Sequence, residues 1–231
     1  MKVTELLELI AKPIMVIVGL LIIVTFALFI DDLSWTHARR ILRILNLRWE
    51  NTLGTWFEGV LFLITAMSFA VFGWSKVENA ALPKLTKYIF RLMALAFCFL
   101  AVDEVASIHE LVGRVTEKTT GVLEQTPIDQ YGFSWILIYG PVCIIVLILI
   151  TKIFLKLINH LPDTDKKISR TILYATVICA FLLPLFEVVE GYLAFLGHKE
   201  TILLCFEESF ELLVLCGFTW NNTRIAKRFD L

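Results

Sequence analysis

Long uncharged stretches separated by short charged ones dominate the chain, and six of them are long enough to be bilayer-crossing helices. The first covers residues 13–30 and is stopped by Asp31 and Asp32. The others cover residues 56–74, 85–108, 133–155, 171–196 and 201–220. The runs are continuous, unlike the weak alternation of barrel strands. Trp35, Trp56, Trp74, Trp135 and Trp220 fall near run ends, where aromatic rings seat at headgroup level. The predicted fold class is all-α: a polytopic integral membrane protein forming a single bundle of six transmembrane helices. No repeat or long linker divides residues 1–231, so one domain is expected.

Composition strengthens this reading. At 58% hydrophobic residues and a mean hydropathy of +0.78, the chain holds more apolar surface than a soluble core of 231 residues can bury. The first run is not expected to be a cleaved signal, because Glu5 and Glu8 precede it and no small-x-small site follows. Of the Lys and Arg residues, fourteen fall on the side holding the two ends of the chain and the 2–3 and 4–5 connections, and seven on the other. The positive-inside rule then places both termini in the cytoplasm of a bacterial inner (plasma) membrane. Four of the opposing seven belong to "HARRILRILNLRW", which places Ala38, Ile41, Leu42 and Leu45 on one helical face and Arg39, Arg40 and Arg43 on another. That pattern predicts a helix lying on the membrane surface, with arginines able to hold lipid phosphates or simply to anchor it.

The charges inside the runs are the chemically informative residues. In the third run only residues 92–102 separate Arg91 from Asp103, about half of the roughly 20 residues a span needs. Snorkelling by Arg91 recovers little of the difference, so Asp103 and Glu104 are expected at membrane depth. Glu187 and Glu190 interrupt the fifth run, and Glu207, Glu208 and Glu211 the sixth. Antiparallel threading brings all of them to one side of the bilayer. Glu58, Asp31 and Asp32 belong to the same half, whereas the fourth run, uncharged between Gln130 and Thr151, reads as a wall. On a helix, Asp103, Ser107 and Glu110 form a stripe flanked by His109 and Glu104. Glu187, Glu190 and Gly191 share a face, as do Glu207, Glu208 and Glu211.

Carboxylates crowded in a low dielectric are neutralised either by protons or by cations. The first alternative considered is a divalent metal site, its hard oxygen donors suiting Fe, Mn, Zn or Mg better than copper. The ligand pool is Asp103, Glu110, Glu187, Glu190, Glu207 and Glu211. His109 is cast as ligand or general base, and Glu104 and Glu208 as outer or proton-carrying groups. Glu pairs on adjacent helices beside a His look similar to the di-iron carboxylate proteins, but the paired Glu-x-x-His motifs of that family are absent. Such a site in a lipid-facing bundle suits an enzyme acting on a lipid or other apolar substrate, by hydrolysis or by oxygen-dependent chemistry. The second alternative is a transporter or channel passing protons or cations, with Pro141 and Pro184 as places where backbone carbonyls are freed. The lack of an inverted repeat and of a polar path through the other half counts against it. The third is an interaction subunit whose acids pair with basic residues such as Arg114 and Lys118.

Membrane lipids and a second copy of the chain are the expected partners. Nucleic acid is not, since no nucleic-acid signature, phosphate-binding glycine loop or Ser-His-Asp order is present. Cys98, Cys143, Cys179, Cys205 and Cys216 lack C-x-x-C spacing and read as small core residues. His198 could reach the acids from the 5–6 turn. "NNT" at 221–223 matches a glycosylation acceptor on the cytoplasmic side, where it stays unmodified. The polar connection 111–130 has the length of a lid over the acids.

Overall fold

The computed structural model describes residues 3–30, 53–75, 83–106, 108, 111–112, 115, 134–196 and 202–229. Among them are six helices and no strand: α1 (Val3–Ile30), α2 (Leu53–Gly73), α3 (Lys84–Ala106), α4 (Ser134–Ile158), α5 (Asp163–Phe195) and α6 (Ile202–Arg228). Each overlaps one apolar run, but α1, α5 and α6 extend well beyond theirs. Helix α5 begins eight residues before its predicted start, directly after Pro162, with Asp163 and Asp165 in the first turn where the helix dipole favours acids. Helix α6 continues past Trp220 to Lys227 and Arg228, cations suited to a C-terminal turn. An apolar run marks where a helix meets hydrocarbon, and the backbone keeps turning beyond it.

Four helical segments are long and apolar enough to cross a membrane: Glu5–Leu28, Leu53–Gly73, Gly140–Ile158 and Asp163–Leu193. Helices α3 and α6, which carry Asp103 and Glu104 and Glu207, Glu208 and Glu211, are not among them. Their lower apolarity has a structural counterpart in α6, which packs against α5, α2 and α1 and buries residues on every side. A helix enclosed by its neighbours needs no lipid-compatible surface. Helix α3 packs chiefly against α2.

The start of α1 and the end of α6 lie at one end of the bundle, joined by the Lys227 Nζ to Glu8 ion pair of 2.8 Å; we call this the terminal end and the opposite one the acidic end. Helices α2 and α6 run parallel, in a register held by two polar rungs. Thr65 and Thr219 share a hydrogen bond of 3.0 Å, and Asn222 Nδ2 donates to Ser68 Oγ at 2.8 Å. Helices α2 and α3 form a close pair. A Cβ on Gly59 would sit 3.3 Å from Val105 Cγ2, and near the terminal end Arg91 Nε donates to the Gly73 carbonyl at 2.6 Å. Between the two ends, seven phenylalanines from four helices form a cluster with Phe69 at its hub, whose ring lies 5.3 Å from Phe97, 5.5 Å from Phe90, 5.8 Å from Phe218 and 6.0 Å from Phe154.

Several expectations meet a direct test here. None of the five cysteines forms a disulfide, but Cys98 and Cys143 are exposed and only Cys205 and Cys216 are buried. The reading of all five as core residues is corrected: a thiol is apolar enough for a helix surface that faces lipid. Asn221, Asn222 and Thr223 are buried inside α6, so the glycosylation motif is inaccessible as well as helical. Pro141 and Pro184 lie within continuous helices. The amphipathic connection 37–49, His198 and most of 111–130 lie outside the described residues.

Candidate metal centre

Glu58, in the second turn of α2, Glu104, near the end of α3, and Glu211, in the third turn of α6, converge at the acidic end. One carboxylate oxygen from each lies within 4.8 Å of the other two. The two close helix pairings described above produce this convergence. The approach at Gly59 sets Glu58 beside the α3 turn that carries Glu104, because a larger residue at 59 would press on Val105 and on the Ala101 carbonyl, 3.5 Å away. The Thr65–Thr219 and Ser68–Asn222 rungs then carry the α2–α6 register upward, so that Glu58 meets Glu211 about 10 Å along the helix from Thr65.

Glu58 is the most enclosed member, at 1% exposure, and neither of its carboxylate oxygens finds a hydrogen-bond partner. Among the described residues its foremost electrostatic neighbours are acids: Glu211, Glu208, Glu104 and Glu207. The described Lys and Arg residues, twelve in number, all belong to the terminal half or its face, whereas eight described acids occupy the other half. A sealed carboxylate surrounded by acids is strongly unfavourable unless a proton or a cation compensates it.

The centrality of α6 sorts the remaining acids onto two of its faces. Glu208 and Glu211 lie on the stripe that continues through Leu215, Thr219 and Asn222 toward α2. Glu208 accordingly has Glu211 and Glu104 as its foremost neighbours, and Asp103 is buried on α3 beside Glu104. Glu207 lies on the next face, toward α5, with Glu187 as its foremost neighbour and Glu190 also in reach. Glu187 and Glu190 are both half-buried. Of the predicted ligand pool, the structure therefore brings Glu211 into the close trio, sets Asp103 beside it, and groups Glu187, Glu190 and Glu207 on an adjoining face. Glu104, expected to carry protons, is a full member of the trio. His109 and Glu110 lie outside the described residues.

Glu58 is the member that sequence reasoning left out of the ligand set, having treated it as a charge near a run end. A signal was present: Thr55, Glu58, Gly59, Thr65 and Ser68 put small and polar residues on the part of α2 that cannot face lipid. Chemically, the trio offers hard, anionic oxygen donors from three separate helices, the donor set of Mg, Mn, Fe or Zn sites and not of copper.

No curated protein and no solved structure matches the chain. A family match exists, and it runs from residue 15, in α1, to residue 220, in α6, taking in every carboxylate of the acidic end. The chain therefore belongs to the family described as a domain of unknown function, DUF8692.

Proposed function

We propose that this protein is a six-span integral membrane protein, with both termini in the cytoplasm, whose Glu58, Glu104 and Glu211 bind a divalent metal ion for an enzyme acting on a lipid or other apolar substrate. The observation that carries the reading is the sealed Glu58 carboxylate, 1% exposed and without a hydrogen-bond partner, within 4.8 Å of two further carboxylates. A divalent ion there would act as a Lewis acid toward water or a substrate oxygen. Glu58 would anchor it from the closed side. Glu208, adjoining the trio on the same stripe of α6, is placed to move a proton. Residues 141–149 of α4 are largely exposed, Val142, Ile145 and Ile148 among them, and would contact acyl chains in a bilayer.

The test is elemental analysis of detergent-purified protein prepared without a histidine tag or chelator. Wild type should carry stoichiometric Mn, Fe or Zn, and Glu58→Gln and Glu211→Gln should each retain less than about a tenth of it while eluting as folded protein. Wild type free of metal after reconstitution with each ion would overturn the reading.

Passage of protons or cations is the second reading, favoured by the buried Thr65–Thr219 and Ser68–Asn222 pairs, which place polar groups in the half where sequence suggested none. The phenylalanine core around Phe69 opposes it, since it leaves a dry layer beside those pairs. Proton flux in liposomes, abolished by Glu58→Gln, would support this reading over the first.

A further inference from the structure

The α5–α6 seam of the terminal half contains a second set of buried polar groups that the carboxylate centre does not use. Its upper and lower ends are fixed by direct contacts. At the upper end Gly217 packs so closely on Thr176 that a Cβ there would run into Thr176 Oγ1. At the lower end Arg224 Nη1 reaches Asp165 Oδ1 at 3.1 Å, with both side chains partly open to the surface. Ser169 and Asn221 lie between these contacts on the two stripes that make them. Ser169 is one turn above Asp165 and two below Thr176, while Asn221 is one turn from Gly217 and about one from Arg224.

Ser169 and Asn221 are both 0% exposed, yet Ser169 Oγ and both Nδ2 and Oδ1 of Asn221 find no protein partner. A sealed helix interface strongly disfavours an unsatisfied amide, and alanine or leucine would pack there without that cost. Two donors and two acceptors on the facing stripes, one turn inward from a surface ion pair, match the needs of internal water, which takes two to four polar partners. The other buried polar pairs behave differently, since Thr65, Thr219, Ser68 and Asn222 bond directly across α2 and α6.

We infer that the α5–α6 seam holds an internal water site between Ser169 and Asn221, entered from the terminal face beside Asp165–Arg224 and closed above by Gly217 against Thr176. The inference rests on the membrane reading but not on a metal, so metal-free protein leaves it standing. Solvent from the terminal face then reaches roughly two turns into α6 and stops at the Gly217–Thr176 contact.

A double-mutant cycle on unfolding midpoint in detergent tests the bridge, using Ser169→Ala, Asn221→Ala and the double variant. A water shared by the two groups makes each single variant melt lower by about 2–4 °C and the double no lower than the worse single. Two unsolvated groups instead give single variants that melt higher, with additive shifts in the double, and that outcome overturns the inference. A wild-type density map resolving ordered water gives an answer that does not depend on how the variants fold. It should show a water within hydrogen-bond distance of both Ser169 Oγ and the Asn221 amide, and a direct Ser169–Asn221 bond or a dry seam would reject it.

Discussion

Helix α6 is built in two ways along its length. From Ile202 to Glu211 it carries three glutamates into a half of the bundle that holds eight described acids and no described Lys or Arg. From Leu212 onward its buried polar residues are neutral, and Thr219 and Asn222 bond to α2 beside a closely packed aromatic core. The terminal half ties α2 to α6 through these direct bonds and the aromatic core, and so stabilises the fold. The acidic half leaves Glu58 sealed against other acids, an arrangement with little value to an unliganded bundle. Stability and ligand affinity are thus separated along the same helices, and the second half sets the register on which the first depends.

Substitutions of opposite sign should break this comparison if it is mistaken. Phe69→Ala removes the ring at the hub of the aromatic core and should destabilise by about 3–5 kcal/mol, read from the unfolding midpoint in detergent. Glu58→Leu, equally buried, should leave the metal-free midpoint unchanged or raise it, because it replaces an enclosed carboxylate with an apolar group. A large loss of stability in metal-free Glu58→Leu would mean that the acidic half is structural after all.

How much of this was legible in the sequence follows from what each feature depends on. Hydrocarbon demands long apolar runs, so all six helices could be located from residue order alone, and threading sent the acids to one end. Which acids meet depends on helix neighbours, which residue order does not contain. That α2 lies parallel to α6 decides that Glu58 faces Glu211, and the closeness of α2 and α3 at Gly59 decides that Glu104 joins them. Asp103, by contrast, was singled out by its distance from Arg91, and the bundle buries it against protein, a property separate from membrane depth. The polar rungs were missed because Thr65 and Ser68 are ordinary residues in an apolar run, and their role exists only when Thr219 and Asn222 stand opposite.

Those rungs sharpen the comparison through a smaller effect. Thr219→Val keeps the shape of the side chain but removes its hydroxyl, leaving Thr65 with the Leu61 carbonyl at 2.9 Å and the longer contact to the Leu215 carbonyl at 3.4 Å. The expected loss is about 1 kcal/mol of stability. If the rungs set the register for the carboxylates, metal affinity should fall in Thr219→Val as well, although the substitution lies two turns from Glu211. Unchanged affinity at reduced stability would confine the rungs to a packing role.

The smallest effect belongs to the tie between the chain ends. Lys227 and Glu8 pair at 2.8 Å, but their side chains are 67% and 48% exposed, so water and salt screen most of the attraction. Lys227→Ala should therefore shift stability by about 0.5 kcal/mol or less, decline further in significance as salt rises, and leave metal content untouched. Its value lies in contrast with Glu58→Gln. Both remove one charge from the bundle, one at the open terminal face and one at the sealed acidic end, and only the second should change what the protein binds. Equal effects on metal content would show that binding follows overall charge, and the distinction between the two halves would then have no chemical basis.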